Sequence, residues 1–327
     1  MTGFGEIKPH GLVSVSVALG ANPALMQRFI RTDGGDVGIQ MTRRLALVSV
    51  FLVTSVLPIA GIARAADFPF VAGDTFTVSL QVETQSSSGG GSSGSSHDVW
   101  ALTERVVALR DAGVELEFDL TADVSADDRR IGWQFPARIF QPTHGPAELL
   151  NWNEAEPRLR AWLGEQYPAI CGHWFFTWTA QKIDCDAQSV IQSLAPYVQP
   201  SGLAAGQLYS EPGASGSVPL EADAAGHALI ARMNVDPEVV RWQRAGRDVA
   251  VAEITHRTVA FDDALRARSS DRISGTVTVT FELDGQGRIT RRRRVAAVEV
   301  ASSDGSIERE QTTETTEWAP ASHASHG

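Results

Sequence analysis

Residues 273–318 read ISGTVTVTFELDGQGRITRRRRVAAVEVASSDGSIEREQTTETTEW, and the fold class turns on this stretch. Val277, Val279, Phe281 and Leu283 alternate with Thr276, Thr278, Thr280 and Glu282, the two-residue period of a strand with one buried face. Asp284-Gly285-Gln286-Gly287 supplies a turn, and Arg288 to Val300 a second strand. Asp304-Gly305 turns again into a third strand, Ile307 to Trp318, whose Thr and Glu content suits a wet face or an edge. Strands joined this tightly form an antiparallel meander.

The other end of the folded region carries the same signal. Phe76, Val78, Leu80 and Val82 alternate with Thr75, Thr77, Ser79 and Gln81. The segment 86–96 consists of Gly and Ser, which cannot bury enough apolar surface to order itself, and is expected to be a long flexible hairpin loop. Asp98 to Leu109 fits strand or helix, whereas Val114, Leu116, Phe118 and Leu120 alternate after the turn-like Arg110-Asp111-Ala112-Gly113. A short strand is expected around Ile131, Trp133 and Phe135, ended by Pro136.

Between these strand regions the period changes. Leu149, Leu150, Trp152, Leu159, Trp162 and Leu163 read as helix, with Pro157 expected in a first turn. A second helix is expected after Asp186 through Leu194, and Asp236-Pro237-Glu238 opens a third that runs to about His256, followed by a short one over Asp262 to Arg268. Residues 200–227, rich in Gly, Ser, Ala and Pro, read as an irregular surface excursion. The fold class is therefore α+β: a curved, mostly antiparallel, half-barrel-like sheet with a helical middle section packed on one face.

Upstream, Arg43 and Arg44 precede the apolar run Leu45 to Ala63, which ends in Ala63-Arg64-Ala65. This is the layout of a secretory signal over 41–65, with cleavage between Ala65 and Ala66. Residues 1–40 have no such layout and are expected to stem from a start codon assigned too early. The working protein is then a single domain, 66–319, with a disordered tail at 320–327. Residues 66–327 keep 22 of the 28 basic residues and 36 of the 39 acids. A surface this acidic repels nucleic acid and anionic headgroups, so neither is an expected partner, and membrane contact is expected through the signal alone.

Cys171 and Cys185 both lie in the exported part, where thiols oxidise, and are expected to form a disulfide worth about 3 kcal/mol by chain entropy. A metal site from Cys171, His173, Cys185 and Asp184 or Asp186 lacks the tight paired spacing of zinc ligands. Cys171-Gly172-His173 offers a thiol beside a base, but a bonded Cys cannot attack. Gly213-Ala214-Ser215-Gly216 is no nucleophile elbow, since Ser217 stands where Gly is required, and no metalloprotease helix, phosphate loop, dinucleotide fingerprint or calcium loop occurs. No catalytic residue, cofactor site or metal site is nominated.

Trp174, Phe176 and Trp178 share one face of an expected strand and form a possible ligand surface, against the simpler reading that they are core. In Arg291 to Arg294 consecutive side chains point to opposite faces, so two at most act together, with Glu308, Glu310, Glu314 and Glu317 as natural cross-strand partners. The strand order and the export signal make the chain similar in outline to periplasmic half-barrel proteins that carry lipids or lipoproteins. Export, the aromatic stripe and the absence of catalytic motifs together point to a non-enzymatic envelope protein that binds an apolar ligand or a protein partner. The rivals are a hydrolase built on His144, His173, His227 or His256 with an acid and a hydroxyl, and a structural envelope component.

Expression in a bacterium should yield a periplasmic chain whose first residue is Ala66 and whose mass is lower by two hydrogens than the reduced form. A chain that retains Met41 contradicts the reading.

Overall fold

The computed structural model describes residues 70–321 apart from 144, 172–173, 177–179, 183–184 and 201. The expected signal, residues 1–40 and the tail beyond Ala321 lie outside them. In chain order the elements are β1 (Thr75–Ser88), β2 (Ser93–Arg110), β3 (Gly113–Leu120), α1 (Ala126–Ile131), β4 (Ala137–Pro142), β5 (Glu148–Leu149) and α2 (Trp152–Leu163). After a short 3-10 turn come α3 (Tyr167–Ile170), β6 (Trp174–Phe176), β7 (Ala180–Lys182) and α4 (Ala187–Leu194). The two-residue strands β8 (Leu208–Tyr209), β9 (Val218–Pro219) and β10 (Glu221–Ala222) lead into β11 (Ala228–Asn234), α5 (Pro237–Ile254) and α6 (Phe261–Ala267). The chain then enters β12 (Arg272–Leu283), β13 (Ile289–Ala301) and β14 (Ile307–Pro320).

Ten strands form one open sheet in the order β10-β11-β12-β13-β14-β1-β2-β3-β4-β5, and all its neighbours are antiparallel. Two meanders are thus joined where β1 pairs with β14, from Phe76–Pro320 to Ser88–Glu308 without a slip. The alternation read from the sequence sets the faces. Val78, Leu80 and Val82 are buried while Thr77, Gln81 and Glu83 are exposed. Val277, Val279 and Phe281 are buried on β12, as are Leu116 and Phe118 on β3.

The outer face carries no helix in the contacts described and is laced by cross-strand ion pairs: Arg105–Glu117 at 2.7 Å, Arg138–Glu117 at 3.0 Å, Arg291–Glu317 at 2.7 Å and Arg309–Glu299 at 2.8 Å. Such exposed pairs each contribute at most about 1 kcal/mol. The inner face holds the core. Val190 and Leu194 of α4 pack with Leu102, Val106, Leu116, Phe118 and Ile139, so α4 lies against this face.

Several local expectations are corrected. The Gly/Ser segment 86–96 is mostly strand, with a turn of only four residues, 89–92, between β1 and β2. Ser86 pairs with both Glu310 and Gly94, and Ser87 with both Arg309 and Ser93. Because β1 is an interior strand, ladders on both sides satisfy its backbone, and composition does not decide its order. Ile131 to Phe135 is not a strand. Ser125 caps α1 by accepting from Asp128 N at 3.1 Å, and the next strand begins at Ala137. Pro157 lies in the second turn of α2, because the helix starts five residues earlier at Trp152, after the cap residue Asn151. Asn151 is spent on β4: its Oδ1 accepts from Arg138 N at 2.9 Å and its Nδ2 donates to the Pro136 carbonyl at 3.0 Å.

Phe281→Ala should cost about 3–5 kcal/mol in denaturant unfolding, since the ring is fully buried on β12. Gln81→Thr on the outer face should stay within about 0.5 kcal/mol.

Candidate functional site

β5 and β10 are the two edges of the sheet, so the chain that connects them must traverse it. Nine inter-strand steps amount to roughly 43 Å at ~4.8 Å each along a flat sheet. Only part of that path is regular. From the end of α4 the chain runs over the β1–β14 seam as Ala195 to Gln199, and residues 200–222 then continue with three two-residue strands. Side chains from the sheet hold the roof by its main chain: Thr316 Oγ1 donates to the Pro196 carbonyl at 3.0 Å and Trp318 Nε1 to the Tyr197 carbonyl at 2.9 Å. The buried Gln199 amide donates to the Ile289 carbonyl.

Beneath this roof two apolar clusters meet. One contains Leu229, Met233, Val277, Val279, Phe281 and Trp318, and the other Leu102, Val106, Leu116, Phe118 and Ile139. Phe76 and Tyr197 pack against both. Glu104 stands at this seam. It is opposite Phe76 on one side and Phe118 on the other, with Leu102 and Val106 next on its own face. Its side chain is fully buried, and neither carboxylate oxygen has a hydrogen-bond partner among the described residues. Burial pushes its pKa up to about 8, so the group is largely neutral at pH 7 and can donate a hydrogen bond.

Farther along, residues 203–220 are fastened to the sheet by an ionic clasp. Glu211 Oε1 accepts from Arg292 Nη2 at 2.6 Å and lies 3.1 Å from Arg294 Nε. The Tyr209 hydroxyl donates to Glu211 Oε2. Arg294 also reaches Glu314 at 3.0 Å and the Pro212 carbonyl at 3.3 Å. Burial, reinforced by the Glu211 carboxylate, raises the Tyr209 phenol and keeps it protonated as a donor. Desolvation works against charge on Arg292, but Glu211, Tyr209 and Glu314 together outweigh it and hold the guanidinium above its ordinary range. Leu203, Tyr209, Ala214 and Val218 bring apolar contacts to the same fastening.

α5 meets the sheet by charge. Arg244 binds Glu308 at 2.7 Å, Arg247 lies 3.4 Å from Glu310, and Arg268 grips Asp248 through two bonds of 2.7 Å. Asp271 lies 3.6 Å from Arg244 and 3.5 Å from Arg268. The Arg291–Arg294 run divides as strand geometry requires. Arg291 pairs with Glu317 outside, and Arg292 and Arg294 work inside. Their joint partner Glu211, about eighty residues away, was not visible in the sequence.

Cys171 and Cys185 form the expected disulfide, with Cα atoms 5.3 Å apart. It ties α3 to the start of α4 and removes both thiols from metal binding or nucleophilic attack. Trp174 and Phe176 occupy alternate positions of β6, which pairs with β7 and lies against α5. Trp178 lies outside the described residues. Among the described residues no group of three or more His, Cys, Asp or Glu could hold a metal ion, and no helix is long and apolar enough to cross a membrane. Neither His227 nor His256 makes, among the described residues, the joint contact with a carboxylate and a hydroxyl that a hydrolase needs; His144 and His173 lie outside them. The Ser215 hydroxyl donates instead to the Val235 carbonyl at 3.1 Å.

No protein-family model matches this chain, and no curated protein matches it. One solved structure, described as lipid–protein interactions in lipovitellin, is similar at 8% identity with a TM-score of 0.35, over 77% of this chain and 26% of that one. The chain thus spans about a quarter of that protein's length, and a likeness this slight supports no inference about its activity.

The Glu104 carboxyl binds its proton more tightly folded than unfolded, so its contribution to stability is complete below about pH 4.5 and is lost as pH rises to about 8. Over that window the wild type should lose stability relative to Glu104→Gln by about 1.4 kcal/mol per pH unit, levelling off above it. Denaturant titrations of both proteins across the range check this.

Proposed function

We propose that the mature chain is a non-enzymatic protein of the bacterial envelope, periplasmic or secreted after cleavage near Ala65/Ala66, that carries an apolar ligand between the inner face of its sheet and the crossing chain above it. In this reading the open sheet is curved toward its covered face, as in a half-barrel. The observation that carries it is the way the inner face is roofed. The two apolar clusters are continuous across the β1–β14 seam through Phe76 and Tyr197. What lies over that seam is a main-chain segment held by side-chain bonds from Thr316, Trp318 and Gln199, followed by a largely irregular strap clasped at Glu211.

A roof whose own ladder is only the two-residue β8–β9 pair opens at lower cost than the sheet beneath, and an apolar surface under a movable cover is the ordinary form of a ligand site. Export supports the same reading, because the Cys171–Cys185 disulfide is suited to an oxidising compartment. A carrier needs no catalytic residues.

Protein purified from the periplasm of an expressing bacterium should show, in native mass spectrometry, an adduct of lipid size that disappears on denaturation. A bare chain both as purified and after incubation with phospholipid vesicles overturns the proposal.

A further inference from the structure

We propose that Glu104 recognises the polar end of the ligand, and that the ligand is an uncharged amphiphile with a hydrogen-bond acceptor such as an ester or amide carbonyl. This rests on the carrier reading above and says which ligand class the inner face takes.

Four acids are buried among the described residues: Glu104, Glu115, Glu211 and Asp271. Three of them are supplied with arginine. Glu115 meets Arg110 and Arg138, Glu211 meets Arg292 and Arg294, and Asp271 meets Arg244 and Arg268. Glu104 alone of the four has, among the described residues, no cation and no hydrogen bond, although it is the most deeply buried. Its neighbours on the face are Phe76, Phe118, Leu102 and Val106, a setting in which leucine would fill a similar space with no desolvation cost. A donor left unmade in such surroundings costs free energy that a ligand carbonyl would recover.

The position narrows the chemistry further. Glu104 stands opposite Phe76, which packs against both apolar clusters, so a ligand hydrogen-bonded there can run its chain along the apolar face. An anionic head would place a second acid beside Glu104 with no counter-charge. A cationic head would ionise Glu104 and bury an ion pair that no further hydrogen bond supports. An uncharged carbonyl accepts the proton that the neutral carboxyl offers and needs no charge to be moved.

Three probes of one chain length test this: monoolein, oleate and oleylamine, each titrated against delipidated wild type, Glu104→Gln and Glu104→Leu. Monoolein should bind wild type most tightly. It should bind Glu104→Gln within about threefold, since the amide keeps a donor, and Glu104→Leu at least roughly tenfold more weakly. Glu104→Leu should melt no lower than wild type, which separates lost recognition from lost folding. Equal monoolein binding by Glu104→Leu and wild type, or tighter binding of oleate or oleylamine than of monoolein to wild type, overturns the assignment and leaves the carrier reading standing. If none of the three probes binds any form, the carrier reading itself falls, and the assignment with it.

Discussion

The antiparallel ladder between β1 and β14 ties the first strand of the sheet to the last, from Phe76–Pro320 to Ser88–Glu308. Every later feature depends on where that ladder lies. It places the two ends of the folded region in the middle of the sheet and pushes β5 and β10, consecutive in the chain apart from the helical middle, to opposite edges. The connection between those edges must then cross the sheet. The alternation of Val78, Leu80 and Val82 with Thr77, Gln81 and Glu83 leaves one apolar face for it to cross. Both edges are only two residues long, which limits edge-to-edge association.

The inner face is satisfied in two ways that stand side by side. Toward β2–β4 it buries aliphatic and aromatic side chains under α4, a large and non-directional gain. Toward α5 it is held by arginine–carboxylate pairs, Arg244–Glu308 and Arg247–Glu310 among them. Partly buried pairs of this kind add little net stability but fix register, because leaving either partner alone is costly. The Glu211 clasp has the same character and sits where the irregular strap would otherwise have little to hold it. Ionic and apolar fastening are thus distributed unevenly across one sheet.

Much of the sheet was legible because its strands have one wet face. The alternation of Val277, Val279 and Phe281 with threonines is a local signal, and so are Asp284-Gly285 and the Asp236-Pro237 helix start, where Asp236 Oδ1 accepts from Glu238 N at 2.9 Å. The Gly/Ser segment misled because Ser86 and Ser87 have ladders on both sides, and one of these is with β14, more than two hundred residues farther along the chain. The disulfide was legible from number and from the compartment the sequence leads one to expect, since two cysteines have one way to pair. Glu104 was not: in the sequence it is one acid among many, and only the register that sets it between Phe76 and Phe118 makes it exceptional. Glu211 was hidden for the same reason, as its partners lie on another strand.

The central claim is that the crossing chain is a cover which opens over an apolar face and closes on a ligand. Amide hydrogen exchange over residues 194–222, with and without monoolein, tests it most directly. The account predicts that these amides exchange well before those of β1 and β14, and that the probe slows them while leaving the β1–β14 ladder unchanged. Exchange of the crossing only together with β1 and β14, at a rate the probe does not alter, would contradict it.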